Sequence, residues 1–399
     1  MISIENTKKA IVTDVRYRMS LPVIRSLGKM GLAVVCTDPQ ETPESQSLGF
    51  VSKYASVCTH LPAPSTERDF VNALRTLSGK DKPVILPVGI DSLICLSRNR
   101  EEVNDFAFTA LPRIDMLMIA NDKDQLMPHA KALGIPCPET TTLQPEESTG
   151  SLAGRISYPA VIKYRQGELL RLDPKDRYQI VHNEKEMTAA FSAMHEKQDY
   201  PLVQEYVPGE GFGVSAVFDQ NHEPLTVFCH RRLREYPVSG GPSCYCQSDW
   251  NGELVQYAVK LLKSLEWTGI AMVEFKGSPE QGYKLMEINP RFWGSSPLAP
   301  IAGCDITKYL YHAALGKQAE PHADQKPRYR LNRKMRFFLQ DALSLFGYMK
   351  QARNPFLYFW RHLGSLLNPA VRGGVFSFDD VRPAFRYLKN ALHKRDKII

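Results

Sequence analysis

Residues 273–291 constrain the fold of this chain more than any other segment. They read V-E-F-K, then six residues bounded by Gly277 and Gly282, then Y-K-L-M-E-I-N-P-R. Two short runs that mix apolar and polar residues, separated by a glycine-containing turn, are typical of an antiparallel β-hairpin. We therefore predict paired strands over residues 268–275 and 283–289.

Polar side chains of this hairpin converge on one face. Glu287 and Asn289 are two residues apart on one strand, so they point to the same side of the sheet. Glu274, on the preceding strand, can present a second carboxylate to that side. Two carboxylates and an amide oxygen suit Mg2+ bound together with substrate phosphates. Pro290 and Arg291 add a fixed turn and a phosphate-binding guanidinium. The alternative is a solvated face whose acids pair with lysines.

The first part of the chain alternates strand and helix patterns. Strands are predicted at residues 10–14, 32–37 and 84–88, and helices at 19–30 and 91–103. This alternation predicts a small parallel α/β unit over residues 8–115. The first strand leads into D-V-R-Y-R rather than a G-x-G-x-x-G turn, which excludes an NAD or FAD site.

The middle of the chain has an α+β pattern. Helices are predicted after Asp122 and Asn183 and around Leu254–Leu265, and strands at 159–163, 178–182, 202–206, 213–219 and 225–230. Strict alternation over residues 213–219 indicates an antiparallel, half-buried strand. An α+β region with much antiparallel sheet therefore follows the α/β unit.

Several side chains in this region suit a nucleotide. Lys163 ends an apolar strand before a polar loop, Tyr164–Lys175, which contains Gly167 and could cover phosphates. A solvated strand-end lysine is the alternative. Lys123 opens a helix, where its ammonium and the helix amides can share an anion. Within Gln204–Glu210, backbone groups could bond adenine and a carboxylate could bond ribose.

A basic segment follows, from Cys229 to Ser243. Its cationic side chains and a Ser-Gly-Gly sequence could recognise an acid and cradle its acyl-phosphate, and an exposed basic hairpin is the alternative. The candidates for this substrate site are His230, Arg232, Arg234, Ser239, Gly240 and Gly241.

In this order and spacing, these segments resemble the ATP-grasp superfamily, and most closely its carboxylate–amine ligase and carbamoyl-phosphate-synthase-like branch. The resemblance covers about residues 8–320, with M-E-I-N-P-R as its most specific part. The basic segment is similar to the H-x-R-x-R-x-Y-P-x-S-G-G stretch of the same branch. The resemblance implies an N-terminal parallel α/β (pre-ATP-grasp) domain followed by an ATP-grasp fold with two α+β subdomains.

The resemblance also implies roles for individual residues. Lys123 and Lys163 would contact the nucleotide phosphates, and the strand Gln204, Glu205, Tyr206 and Val207 would hold adenine, with Glu205 or Glu210 on the ribose. Glu274, Glu287 and Asn289 would bind Mg2+ or Mn2+, and Arg291 would steady the transferred phosphoryl group. The loop after Lys163 departs from the family, since Gly167 is its only glycine.

The implied activity is that of an ATP-dependent carboxylate–amine ligase. It would form an amide from a small acid and an amine through an acyl-phosphate, releasing ADP and phosphate. One alternative is carbamoyl-phosphate-synthase-like phosphorylation of carbamate or bicarbonate, which a single ATP-grasp unit without an amidotransferase-like portion disfavours. The other is a nucleotide-binding regulatory module without catalysis, which the retained metal ligands disfavour.

We expect four regions: an α/β domain at 1–118, a small nucleotide-binding subdomain at 119–207, a catalytic metal-binding subdomain at 208–325, and an extension at 326–399. The extension holds sixteen Lys/Arg, four Asp/Glu and thirteen aromatic residues. It fits a packed helical layer with buried aromatics, an anionic membrane surface, or an acidic partner. We expect no specific nucleic acid, because the basic charge is confined to this extension.

Composition indicates a cytoplasmic protein, peripheral at a membrane if the extension binds lipid. No apolar run approaches the roughly 18 residues of a membrane-spanning helix, and the first residues lack a signal-peptide core. The eight cysteines include no C-x-x-C pair, so we expect reduced thiols rather than disulfides or a zinc site.

Overall fold

The computed structural model describes residues 8–144, 146–165, 170, 172, 176–238, 240–318 and 325–393. Within these ranges the chain forms two four-stranded sheets and one seven-stranded sheet, with helices packed against them. The predicted fold class is confirmed, because a parallel α/β unit precedes two regions of antiparallel sheet and helix.

The N-terminal unit is a parallel sheet with strand order β3-β2-β1-β4. Its strands are β1 (Lys9–Val12), β2 (Ala33–Pro39), β3 (Ala55–Leu61) and β4 (Val84–Leu86). Its helices are α1 (Ser20–Lys29), α2 (Glu67–Ser78), α3 (Ile90–Arg98), α4 (Arg100–Phe106) and α5 (Ile114–Asn121). Two short 3-10 helices, Glu44–Gln46 and Leu48–Val51, precede β3.

The single helix predicted over residues 91–103 is wrong, because α3 and α4 are separate helices that meet at Asn99. The Asn99 side-chain amide donates to the Cys95 carbonyl (2.8 Å) and to the Glu67 carboxylate (2.6 Å). Asparagine side chains compete for backbone groups in this way and favour helix ends over helix interiors.

The second sheet belongs to a small antiparallel subdomain with strand order β5-β8-β6-β7. Its elements are α6 (Lys123–Ala132), β5 (Thr140–Thr141), α7 (Thr149–Ala153), β6 (Ala160–Lys163), β7 (Tyr178–Val181), α8 (Glu184–His195) and β8 (Leu202–Glu205). Asp122 and Asn183 cap α6 and α8 by accepting backbone N–H groups, as the sequence predicts.

The seven-stranded sheet has the order β13-β12-β9-β10-β11-β14-β15. Its first part comprises β9 (Glu210–Phe218), β10 (Pro224–Glu235), β11 (Ser243–Asp249), α9 (Gly252–Ser264), β12 (Gly269–Ser278), β13 (Gly282–Asn289), α10 (Leu298–Ala302) and α11 (Ile306–Ala314). The predicted hairpin is confirmed, because β12 and β13 pair antiparallel and place Glu274 opposite Glu287.

The C-terminal residues extend this same sheet. They form β14 (Lys334–Arg336), α12 (Phe338–Gln351), α13 (Pro355–Leu366), β15 (Val371–Gly373) and α14 (Arg382–His393). β14 pairs antiparallel with β11, and β15 pairs parallel with β14. The extension therefore shares backbone hydrogen bonds with the sheet that carries the hairpin.

A shared apolar core joins the N-terminal unit to the large sheet. Val12 of β1, Val217 of β9, Phe292 after β13 and Met335 of β14 belong to one cluster of buried side chains. Burial of this apolar surface fixes the loop after β1 beside the loop after β13. The fold thus brings the N-terminal unit to the same edge as the predicted metal ligands.

Candidate active site

The three predicted metal ligands come together on one face of the large sheet. Glu274 and Glu287 are direct cross-strand partners, and Asn289 follows two residues after Glu287. The Asn289 side-chain amide donates to Oε1 of Glu274 (3.0 Å) and to Oε1 of Glu287 (3.2 Å). Hairpin register and the two-residue period of a strand together produce this cluster.

Each carboxylate of the cluster is paired with one cation. Nζ of Lys123, at the start of α6, lies 2.9 Å from Oε2 of Glu287. Nη2 of Arg232, on β10, lies 2.5 Å from Oε2 of Glu274. Lys123 therefore comes from the small subdomain and Arg232 from the large sheet. Both cations lie at the face where the acids converge.

Arg232 reaches Glu274 across an intervening strand. β9 lies between β10 and β12, and it carries Gly211 and Gly213 on this face. A β-carbon on Gly211 would lie 2.9 Å from Cδ of Arg232, and one on Gly213 would lie 2.3 Å from Cε1 of His230. Because these two glycines have no side chain, the β10 side chains have space to extend across β9 toward β12.

The sequence predicts Arg232 in a substrate site, and the structure places it against Glu274 instead. A signal for this arrangement is present in the chain, since two glycines separated by one residue leave one face of a strand bare. The partner across that bare face depends on strand order, which residue spacing along one strand does not reveal.

Burial and charge set different ionisation for the two glutamates. Burial raises the pKa of Glu274, and the negative charge of Glu287 adds to this, although Arg232 opposes both effects. Burial also disfavours ionisation of Glu287, but the charge and hydrogen bond of Lys123 hold its pKa below the usual range. Glu287 is therefore the more firmly ionised carboxylate of the pair.

Lys163 lies at the end of β6 and is held by the neighbouring strand. Its Nζ donates to Oε1 of Gln204 (2.8 Å), and Gln204 in turn donates to the Thr140 hydroxyl (3.0 Å). Burial, with the charge of Lys123 added, lowers the pKa of Lys163 to about 8. Lys163 is thus a positioned, partly desolvated ammonium rather than a freely solvated one. A positioned ammonium of this kind is able to bind an anion.

The predicted adenine strand lies beside this lysine. Gln204 and Val207 are buried, and the Tyr206 ring lies 5.4 Å from Nζ of Lys276. Both ribose candidates are engaged in ion pairs. Lys284 contacts both Glu205 oxygens at 2.7 Å, whereas Glu210 is 3.3 Å from Arg231.

The side chains of the basic segment lie in different environments. His230 is fully buried and its Nε2 bonds the Ser295 hydroxyl at 2.9 Å. Burial, with the nearby Arg232 cation, lowers the pKa of His230 to about 3, so this imidazole is neutral. Arg234 donates to both oxygens of buried Asp341 at 2.6 and 2.8 Å. Among these three residues, the structure brings only Arg232 into contact with the acidic cluster.

Gly240 and Gly241 of the Ser-Gly-Gly sequence fold back on Pro237. Ser239 lies outside the described residues, as does Gly167 in the loop after Lys163. The amides of Gly240 and Gly241 both donate to the Pro237 carbonyl, at 3.3 and 2.8 Å. Gly240 has a φ of 137° and lies against Tyr178 of the small subdomain, where a β-carbon would be 2.8 Å from the hydroxyl.

Arg291 follows the metal-ligand strand in a loop that meets the N-terminal unit. Its Nη1 donates to the Phe292 carbonyl at 2.7 Å. In the loop after β1, Arg18 lies beside Gly294, and its guanidinium stacks over the Phe337 ring at 3.7 Å. The N-terminal unit, the hairpin and the extension therefore meet here, and the position of Arg18 was not predicted from the sequence.

The comparisons with known proteins concern the family and the fold of this chain. Residues 197–335 match the family model ATPgrasp_Ter, "ATP-grasp in the biosynthetic pathway with Ter operon". A D-aspartate ligase from Enterococcus faecium is 29% identical over 116 residues, which is 27% of this chain and 27% of that protein. The α subunit of mitochondrial methylcrotonoyl-CoA carboxylase from Rattus norvegicus is 21% identical over 196 residues, covering 46% and 27%. The chain thus spans about a quarter of each relative's length.

Solved structures share the fold over most of this chain. Biotin carboxylase from Campylobacter jejuni has a TM-score of 0.64 at 17% identity, covering 82% of this chain and 74% of that one. N5-carboxyaminoimidazole synthetase from Staphylococcus aureus has a TM-score of 0.62 at 16% identity, covering 82% and 80%. L-amino acid ligase from Bacillus licheniformis has a TM-score of 0.59 at 15% identity, covering 82% and 79%. Together with the family match over residues 197–335, this shared fold indicates the ATP-grasp superfamily.

Proposed function

We propose that this protein is an ATP-dependent carboxylate–amine ligase. It phosphorylates a small carboxylic acid with ATP and passes the acyl group to an amine, forming an amide, ADP and phosphate. The convergence of Glu274, Glu287 and Asn289 beside Lys123 and Lys163 carries this proposal. The match to a D-aspartate ligase and the fold shared with an L-amino acid ligase support the ligase class.

The donor set of the cluster fits a divalent metal. Two carboxylates and one amide are the oxygen ligands that Mg2+ and Mn2+ prefer. In this structure the Asn289 amide nitrogen bridges the two carboxylates, so rotation of that amide would turn its oxygen toward the same centre. Mg2+ held there would neutralise phosphate oxygens and polarise the transferred phosphoryl group.

The cations around the cluster suit a triphosphate. Lys163 would hold phosphate oxygens from the small subdomain, and Lys123 would exchange its contact with Glu287 for a second phosphate contact. Arg291, directly after the ligand strand, would steady the phosphoryl group as it moves. Phosphoryl transfer requires mainly positioning and charge neutralisation, which these groups supply.

The nucleoside would lie along the strand that holds Lys163 in place. Backbone groups from Gln204 to Val207 would bond adenine, and Tyr206 would line that pocket. Glu205 or Glu210 would bond the ribose hydroxyls after releasing its present lysine or arginine partner. This placement puts the phosphates between the small subdomain and the large sheet.

Activation by phosphorylation explains why the site is so cationic. A carboxylate is a poor electrophile, because its charge repels nucleophiles and an oxide is a poor leaving group. Transfer of the phosphoryl group to one carboxylate oxygen breaks the bond to ADP and creates a phosphate leaving group. The amine then attacks the acyl carbon and displaces that phosphate. Arg232 would neutralise charge beside Glu274 during these steps.

A screen of acid and amine pairs for ADP release tests this function. We expect ADP release that requires both an acid and an amine in the same reaction. Release with bicarbonate or carbamate and no other acid would instead indicate carbamoyl-phosphate-synthase-like phosphorylation. ATP binding without ADP release in any pair would favour a regulatory module and contradict the ligase assignment.

A further inference from the structure

The described residues of the C-terminal extension concentrate the exposed apolar surface of the molecule. Fifteen large apolar side chains among the described residues are exposed, and twelve of them lie between residues 338 and 392. The twelve are Phe338, Leu343, Phe346, Phe356, Leu357, Trp360, Leu367, Phe376, Phe378, Phe385, Leu388 and Leu392. This concentration in one segment exceeds the single, scattered exposed apolar residues that are normal for a monomer.

Helix α13 presents an apolar face with cations toward solvent. Phe356 is 72% exposed and Trp360 is 53% exposed, and their rings contact each other with centroids 6.1 Å apart. Arg361 is exposed on the same side, one turn after Leu357, and exposed Arg353 lies just before the start of the helix. The opposite side of the helix carries buried His362. The outward face is therefore the one a monomer would normally make polar.

Helix α14 repeats this arrangement. Phe385, Leu388 and Leu392 recur at helical spacing on its exposed side, next to exposed Arg382 and Lys389. Apolar and basic residues thus share the solvent side of a second helix.

The docking of α14 fixes which side faces outward. Arg386 donates to the carbonyls of Glu44 and Ser47, and Asn390 donates to the carbonyl of Ser45. These contacts hold the polar side of α14 on the N-terminal unit, so its apolar stripe cannot turn inward without breaking them.

The described acidic residues of the extension form ion pairs with the rest of the molecule. The described part of the extension has three acidic residues, and each is paired with a cation outside the extension. Asp341 pairs with Arg234, Asp379 lies 2.9 Å from Lys29, and Asp380 lies 2.9 Å from Arg25. The exposed surface of the extension therefore displays cations beside apolar side chains.

We propose that the outward faces of α13 and α14 bind an anionic lipid surface. Aromatic and aliphatic side chains would enter the interface while the arginines and lysines contact lipid head groups. Among the helices that the structure describes, none is long and apolar enough to cross a bilayer, so the attachment is peripheral. A second copy of the chain fits less well, because a symmetric contact would bring Arg353 and Arg361 of both copies together.

Vesicle co-sedimentation tests this surface. The probes are vesicles of phosphatidylcholine alone and of equal parts phosphatidylcholine and phosphatidylglycerol. We expect binding to the anionic vesicles only, and its loss near 1 M salt, where the screening length is roughly 3 Å. Phe356→Ser with Trp360→Ser, Arg353→Glu with Arg361→Glu, and Phe385→Ser with Leu392→Ser are the test variants. At least one pair should weaken vesicle binding by about tenfold or more.

The matched control is Lys185→Glu with Lys197→Glu, which changes net charge equally on the exposed surface of the small subdomain. The control should bind vesicles as well as the unaltered protein does. All variants should have the same melting temperature as the unaltered protein.

The proposal is overturned if the unaltered protein stays in the supernatant with anionic vesicles at low salt, or if all three test pairs bind normally. A concentration-dependent dimer that these variants abolish, without vesicle binding, would assign the surface to a second copy instead. The vesicle assay needs no substrate, so its outcome is independent of the ligase assignment.

Discussion

Glu274 and Glu287 are identical residues on paired strands, yet their surroundings give them different tasks. Lys123 keeps Glu287 ionised, whereas burial and the charge of Glu287 raise the pKa of Glu274 despite Arg232. An ionised carboxylate is the stronger ligand for a dication. We therefore expect Glu287 to supply the main attraction for Mg2+, with Glu274 ionising fully as the metal binds.

Glu287→Gln should preserve the fold and abolish most turnover. The amide is isosteric but neutral, so it weakens metal binding and removes the ion pair between Glu287 and Lys123. We expect the rate of ADP release at saturating Mg2+ to fall by about a hundredfold or more. Glu280→Gln, in the exposed turn of the same hairpin, is the matched control. Equal rates for the two variants would remove Glu287 from the metal site.

Lys163 gives the site a distinct pH dependence. Because burial lowers the pKa of Lys163 to about 8, its side chain is mostly a charged ammonium below that pH and mostly a neutral amine above it. ATP affinity should therefore be full near neutral pH and weaken as the pH rises past about 8. In Lys163→Arg the guanidinium stays charged, so the affinity of that variant should stay flat over the same range.

Calorimetry of ATP binding at about pH 7 and about pH 9.5 checks this difference. Lys163→Ala should bind ATP weakly at both values, because it lacks the charge-assisted contact. If the unaltered protein and Lys163→Arg respond identically to pH, Lys163 does not contact the phosphates.

Residue spacing was sufficient to predict the acidic cluster, because it depends on local rules. The two-residue period of a strand aligns Glu287 with Asn289, and a short hairpin places Glu274 opposite. Residue spacing alone could not predict the ion pairs of Arg232 and Arg234. Their partners lie 42 and 107 residues further along the chain, and only the assembled sheet brings them together.

At the scale of elements, the face of β9 that carries Gly211 and Gly213 allows the β10 side chains to reach the site. Gly213→Ala would place a β-carbon 2.3 Å from Cε1 of the fully buried His230, which must then move. We expect a loss of about 1–3 kcal/mol in the free energy of unfolding, measured by urea denaturation, together with slower turnover.

Ser215→Ala is the control for this change, because it alters a buried residue two positions further along the same face and adds no atom. It should leave the stability nearly unchanged. Equal stability of Gly213→Ala and the unaltered protein would show that β9 tolerates a side chain there, and that its glycines do not set the position of His230.

Helix starts with a clear capping residue were predicted well, whereas β14 and β15 were not predicted. Helices capped by Asp122 and Asn183 begin where the sequence indicates. β14 and β15 have three residues each and no local periodicity, so they were read as part of a separate extension. β14 pairs with the edge of β11 and β15 pairs with β14, so both strands depend on the sheet rather than on their own residues.

At the scale of the whole molecule, a buried ion network ties the extension to the site. Asp341 is fully buried and accepts from Arg234 of β10 and from Arg336 of β14. Arg234 lies two residues from Arg232, which contacts Glu274. The extension therefore supports the strand that delivers a cation to the acidic cluster.

Asp341→Ala should destabilise the protein by about 3–5 kcal/mol, because it leaves two buried guanidiniums without their carboxylate. The exposed Asp81→Ala is the control and should change stability little. Thermal or urea unfolding measures both. A small effect of Asp341→Ala would mean that the extension contributes little to the folded sheet.

The central claim, phosphorylation of a carboxylate by ATP at the Glu274–Glu287 cluster, can be tested most directly by following oxygen. The acid and amine pair that gives the fastest ADP release is supplied with 18O in both carboxylate oxygens. Attack of the carboxylate on the terminal phosphorus carries one labelled oxygen into the phosphate that the amine displaces. We predict 18O in inorganic phosphate from the unaltered protein and none from Glu287→Gln in the same time. Label in AMP, or amide formation with unlabelled phosphate, would contradict the account.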